Sequence, residues 1–150
     1  MSINNIDKLI LNRIQSDFPI TIRPFQTLAI ELGLDEMTII ESVKKLKKSG
    51  IIRRIGGNFS PEKLGFQSTL CAARVPDDMI NYFCDIVNSY DGVTHNYQRN
   101  HYYNVWFTFI APTMNDINYY LEQIKQKTGL HRILNLPATH VFKIKAQFSV

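Results

Sequence analysis

The chain holds only two cysteines, Cys71 and Cys84, with no CxxC spacing between them and no HExxH anywhere in its 150 residues. That scarcity excludes a disulfide scaffold and leaves no strong metal site built by the protein alone. Both thiols are expected to be reduced, buried small residues. Long apolar runs are missing too, and none approaches the roughly twenty residues of a membrane span. The first residues show no charged-then-apolar leader, so the expectation is a soluble, cytoplasmic protein with no membrane partner. Internal repeats and low-complexity segments are also lacking. What is there, 45% hydrophobic and 20% charged residues, is ordinary globular usage. It suffices for one ordinary domain or two small ones.

Acidic residues are the scarcer sign: 17 Lys and Arg stand against 13 Asp and Glu, a formal net charge of +4. The excess is uneven. Residues 1–60 carry nine basic and six acidic side chains, whereas 61–150 carry eight and seven. Six of the cations fall between Lys44 and Arg54. Such a cluster suits a polyanion, either DNA or a small polycarboxylate, or else forms a solvated helix face.

Apolar spacing sets out the elements. Ile3, Ile6, Leu9, Ile10 and Ile14 recur at helical intervals. Pro24 suits the first position of a second, short helix, with Leu28 and Leu32 inward and Gly33 as its stop. Asp35 is placed to cap a third, whose apolar face is Ile39, Ile40, Val43 and Leu46 and which ends at Gly50. Helix, short helix, turn, helix is the helix-turn-helix layout. Ile51–Ile55 then reads as a strand, with Gly56-Gly57 turning into a second, which completes a winged helix-turn-helix over residues 1–60.

Residues 58–66 are turn-rich and form the expected linker. Beyond them, 67–75 reads as a strand, and Pro76-Asp77-Asp78 opens a helix with Ile80, Phe83 and Val87 on one face. Val93–Gln98 and His101–Ile110 read as strands joined by a tight turn at Arg99-Asn100. Thr113, with Asp116 as its capping-box partner, starts a helix carrying Ile117, Leu121 and Ile124, and Gly129 stops it. A last strand is expected through Val141–Phe148. The fold class is therefore α+β: a winged helix-turn-helix followed by a ferredoxin-like βαββαβ plait over residues 61–150. This order resembles the Lrp/AsnC regulators along the whole chain, a likeness of fold that does not fix function.

A DNA reader presents base-contacting side chains on its third helix. Here that face starts with Glu36, Thr38, Glu41 and Ser42 before reaching Lys45. Carboxylates at the groove-entering end meet the negative potential of the phosphates, which disfavours generic DNA binding.

Chemistry concentrates in residues 92–109, GVTHNYQRNHYYNVWFTF, which hold two of the four histidines, an arginine, three tyrosines and the single tryptophan. Strand period two puts Val93, His95 and Tyr97 on one face, and His101, Tyr103, Val105 and Phe107 on one face of the partner strand. The two histidines are then expected on opposite arms of a hairpin, converging over an aromatic floor with Arg99 at the turn. Aromatic cross-strand pairs stabilise any sheet and account for Tyr103, Trp106 and Phe107. They account less well for the His, Asn, Arg and second His, which need hydrogen-bond partners if buried. His131 and His140 lie outside this stretch, His131 being expected exposed.

The run His95-Asn96-Tyr97, Arg99, His101, Tyr103-Asn104, Trp106-Phe107-Thr108 resembles the HNYxRxHxYNxWFT signature of the siroheme decarboxylases. Leu134–Thr139 with Phe142-Lys143-Ile144, and Ile52–Gly56, are similar to the same family in the same order. The resemblance implies removal of carboxyl groups from two acetate side chains of siroheme, giving didecarboxysiroheme on the alternative haem pathway. It implies no organic cofactor, an iron-tetrapyrrole as substrate or product, and commonly a heterodimer of two related subunits. It implies His95, Arg99 and His101 as the catalytic set, with one histidine giving a proton and the other serving as iron ligand or carboxylate partner, in either order. Arg99, Arg53 and Arg54 would clamp carboxylates, while Tyr97, Tyr103, Asn104 and Trp106 would shape the pocket. The rivals are a DNA-binding regulator that senses a small ligand or haem, a non-enzymatic tetrapyrrole carrier, and a supporting subunit.

Overall fold

Helix α1 (Asn5–Ile14) is started by Asn4 and stabilised by a reciprocal capping box with Asp7. Helix α2 (Pro24–Leu32) has its proline in the first turn and stops at Gly33, whose φ of +65° is costly for any side chain but hydrogen. Asp35 accepts the Met37 and Thr38 N–H groups at the start of α3 (Glu36–Lys48). The computed structural model describes residues 3–57, 59–143 and 149–150. Within it, Ile10, Leu28, Ile39, Val43, Leu46 and Ile52 form the buried centre of the three helices. Ile6 and Leu9, which helical spacing groups with them, remain largely exposed.

The wing strands expected after α3 do not form in residues 51–57. Gly50 reverses the chain, and the Ile51 and Ile52 N–H groups both donate to Leu46 O, at 3.0 and 3.1 Å. Amides committed to the helix end have nothing left for a strand partner, and Ile52 instead turns into the helical core.

A buried carboxylate ties α1 to α3. Asp7 accepts from Ser42 Oγ at 2.6 Å and pairs with the Lys45 ammonium. Burial by itself would raise this carboxyl, but the hydrogen bonds from Lys45, Ser42 and the Asn4 backbone outweigh it and hold the group below its usual 3.8. Its stabilising contribution is therefore complete above that value and is lost as pH falls through the lower folded-state value.

Two compact units emerge, residues 1–57 with 143–150, and residues 58–142. The expected division fell at residue 60, with the C-terminal residues in the second domain. Of the described C-terminal residues, Lys143, Ser149 and Val150 fall with the first unit, where the Asn12 side chain bonds both the N–H and the C=O of Val150, at 3.2 and 3.3 Å.

In the second unit, strands β1 (Gln67–Ala73), β2 (Val93–Gln98), β3 (Val105–Ala111) and β4 (Ile133–Pro137) form an antiparallel sheet in the order β2-β3-β1-β4. Helices α4 (Ile80–Asn88) and α5 (Met114–Thr128) complete the βαββαβ plait. Thr113 and Asp116 make the expected capping box, and Gly129 ends α5 at φ +70°. One face of the sheet packs on the helices through Cys71, Phe83, Val87, Val105, Phe107 and Phe109.

The last strand lies earlier than expected, at Ile133–Pro137. Val141–Lys143 form no strand, and the rest of the expected Val141–Phe148 segment falls outside the described residues. Ile133 is buried in the core, and Pro137, with no N–H to donate, sits on an edge strand that tolerates it.

Two outcomes follow. Asp7→Ala should lower unfolding free energy by roughly 1–3 kcal/mol, the cost of stranding buried hydrogen-bonding groups. The gap to wild type in denaturant titrations should close as pH drops below 3.8. Cys71 is fully buried and desolvation pushes its thiol up to about 12, so iodoacetamide at pH 8 should leave it unmodified until the protein unfolds.

Candidate functional site

Strand β3 begins at Val105, four residues later than the sequence suggested, because Asn104 anchors the chain there. The buried Asn104 amide accepts the Val75 N–H at 2.9 Å and donates to Val75 O at 2.8 Å. The side chain expected to touch substrate is thus committed to the scaffold. Residues 99–104 form a loop rather than a two-residue turn, and His101 and Tyr103 lie on it instead of on a strand.

Further bonds fix this loop. Arg99 N–H donates to Asn104 O at 2.8 Å, and the Trp106 indole N–H donates to Tyr103 O at 2.7 Å. The Tyr103 N–H donates to His101 Nδ1 at 3.2 Å. An anchored loop holds its side chains in place before any ligand arrives.

Register decides which residues share a face. His95 opposes Thr108, Tyr97 opposes Trp106, and a bulge between Val93 and His95 changes the alternation. Val93, opposite Phe109, therefore faces the helices rather than sharing a side with His95 and Tyr97. Val105 and Phe107 are likewise buried on the helix side, so the expected floor of Val105 and Phe107 is replaced by Trp106 and Thr108. Gly92 ends the approach to β2 so close to β3 that a Cβ would stand 2.3 Å from Ile110 O.

The open face carries His95, Tyr97 and Trp106, with Leu70, Leu134 and Leu136 continuing it across β1 and β4. These leucines remain 42%, 37% and 40% exposed, a flat apolar surface. At its end, the Arg99 guanidinium lies 5.8 Å from the centre of the Trp106 ring, and the His101 ring lies 6.3 Å from it. His101 stacks on Tyr103 and His95 on Tyr97, at 6.4 and 6.0 Å. A cavity of about 590 Å³ opens beside this group, lined by Arg74, Arg99 and His101 among others.

The hydrogen bonds distinguish the two imidazoles. His101 Nδ1 accepts a backbone N–H, which assigns the ring proton to Nε2 in a neutral imidazole. His95 Nδ1 faces the Thr94 hydroxyl at 3.1 Å, a group that either gives or takes a proton, so its tautomer is free.

Arg53 and Arg54 belong to the first unit, where they line a cavity of about 370 Å³ with Leu11, Ile14 and Phe18. His131 is exposed, and His140 rests 4.6 Å from the Phe142 ring. At the start of α3, Glu36 pairs with Arg23 at 2.7 Å. Among the described residues no group of three or more His, Cys, Asp or Glu could hold a metal, and no helix is long and apolar enough to cross a membrane. Sequence reading missed Arg74 and Arg132. A strand placed at Ile133 rather than at Val141 would have set Arg132 beside the end of β1.

The AsnC-like ligand binding domain family matches residues 63–143, and the siroheme decarboxylase NirDL-like HTH domain matches residues 7–53. A siroheme decarboxylase alpha subunit from Oleidesulfovibrio alaskensis is 49% identical over 148 residues, which span 99% of this chain and 90% of the relative. The chain belongs to the siroheme decarboxylase family. Another relative, the siroheme decarboxylase NirD subunit of Stutzerimonas stutzeri, is 33% identical over 99% of this chain and 96% of its own. The crystal structure of the siroheme decarboxylase NirDL superposes with a TM-score of 0.70 at 30% identity, covering 97% of this chain. Of that longer NirDL chain the present one spans 48%, about half. NirDL has also been crystallised with an iron-uroporphyrin III analogue. E. coli AsnC, at 19% identity and a TM-score of 0.82, shares the fold.

Asn104→Ala would leave the Val75 N–H and C=O without their partner, and should cost roughly 1–3 kcal/mol in denaturant unfolding. Asn104→Asp, which keeps an acceptor but loses the donor, should fall between it and wild type.

Proposed function

We propose that this chain is a siroheme decarboxylase subunit, a carboxy-lyase that removes carboxyl groups from two acetate side chains of siroheme to give didecarboxysiroheme. The observation that carries the reading is the open sheet face, where a flat apolar surface carries His95 and Tyr97 and ends in Trp106, Arg99 and His101. An iron tetrapyrrole is itself a flat apolar plane rimmed by carboxylates, so the match is one of shape and of charge. The iron arrives with the substrate, and no organic cofactor is required. The subunit works in the cytoplasm with a homologous partner, an arrangement in keeping with relatives named as alpha or NirD subunits.

In the reaction the bond between an acetate methylene and its carboxylate breaks and carbon dioxide leaves. The electron pair stays on the methylene carbon, conjugated with the pyrrole, and takes up a proton to become a methyl group. Arg99 holds a rim carboxylate and Trp106 and Tyr97 support the plane. His101, with its proton on Nε2 and Nδ1 already occupied, suits a neutral donor to a carboxylate better than an acid or an iron ligand. His95, whose Nδ1 faces a hydroxyl that can give or take a proton, keeps a free tautomer and is the proton donor. Tyr103 backs His101, and Asn104 acts as a positioning residue through the loop it anchors. Arg53 and Arg54 remain proposed carboxylate ligands of their own unit.

Purified protein, wild type and variant, is supplied with siroheme anaerobically and products are followed by mass. His95→Ala should lose turnover by about 10²–10⁴-fold, the usual worth of a general acid. His101→Ala should mainly raise KM. Undiminished double decarboxylation in both variants would sink the assignment, and the reverse pattern would exchange the two roles.

A further inference from the structure

Arg74 follows the last residue of β1, and its N–H donates to Arg132 O at 3.0 Å, which extends the β1–β4 ladder by one rung. Two arginines are thereby set side by side, an arrangement that repels unless something accommodates both. Tyr102 does so. Its hydroxyl accepts from the Arg132 guanidinium, and its ring lies under the Arg74 guanidinium at 5.4 Å. Tyr102 sits on the same anchored loop as Arg99 and His101.

Arg74 lines two cavities at once: the one of about 590 Å³ with Arg99 and His101, and another of about 430 Å³ with His131 and Arg132. Among the described residues none of Arg74, Arg99 and Arg132 forms an ion pair, and Asp77 is the one carboxylate lining either cavity. Three guanidiniums at one end of the sheet leave a positive potential that a ligand with several carboxylates would neutralise through charge-assisted, bidentate bonds.

We propose that Arg74 and Arg132 form a second carboxylate-binding subsite, with Tyr102 as the strut that orients it. The subsite takes rim carboxylates of a polycarboxylated tetrapyrrole beyond the one held by Arg99. It rests on the decarboxylase reading only for the identity of that ligand.

The full chain, as wild type and as Arg74→Ala, Arg74→Lys, Arg132→Ala and Tyr102→Phe, is titrated with iron-uroporphyrin III and separately with haem, which keeps only its propionates. Binding is read from the absorbance of the iron porphyrin. Arg74→Ala and Arg132→Ala should weaken iron-uroporphyrin III at least about tenfold and haem less than about threefold, as expected for a lost bond to a charged group. Arg74→Lys should recover part of the loss, and Tyr102→Phe should reproduce that of Arg132→Ala. Unchanged affinity for iron-uroporphyrin III in both alanine variants would overturn the subsite. Equal weakening toward both porphyrins would also overturn it, since that marks a displaced loop. If the variants discriminate as expected while the wild type, supplied with its homologous partner subunit, leaves siroheme intact, the decarboxylase reading is refuted and the subsite stands.

Discussion

The side-chain amide of Asn104 takes the place of one more backbone unit of sheet, bonding both the N–H and the C=O of Val75. That pair of bonds sets the residue at which β3 begins, and hence the parity of every residue after it. Val105, Phe107 and Phe109 go to the helices while Trp106 and Thr108 face outward. A slip of one residue would exchange Trp106 for Phe107, burying an indole whose N–H needs a partner and exposing a core phenylalanine. The same anchor closes the Arg99–Asn104 loop, from which Arg99, His101 and Tyr102 project.

The loop's side chains owe their chemistry to what surrounds them. Arg99 lies against an indole rather than a carboxylate, and Arg74 and Arg132 share a phenol. Aromatic faces position guanidiniums without neutralising them, so the charge remains for a ligand. The first unit shows the opposite use of ionisable groups. There Lys45 and Ser42 satisfy Asp7, and Arg23 takes Glu36. Both carboxylates are satisfied within the unit, and Glu36 lies at the end of α3 that a DNA reader would present to a groove.

Helix ends were legible because their causes are local. Pro24, Gly33, Asp35, Thr113 with Asp116, and Gly129 act within one turn of chain, and each lies where its type and spacing indicated. Strands β1 and β2 were legible from alternation, and the density of His95, Tyr97, Arg99, His101 and Trp106 in one short run is what marked them as the candidate site. The wing was misread because Ile51-Ile52 has the composition of a strand, while its amides are claimed by Leu46. The last strand was misread because Ile133–Pro137 is short and carries an asparagine and a proline, and only pairing with β1 makes it a strand.

By itself, then, the sequence determined the order of the helices, their boundaries and the stretch of chain proposed to carry the chemistry, since each depends on residues a few positions apart. Tertiary structure decided the bulge at Val93–His95, the partner of Asn104, the face taken by Trp106 and the meeting of Arg74 with Arg132 through Tyr102. These depend on which strands lie side by side and in what register. Register is a property of the whole sheet and its core, so no local pattern specifies it.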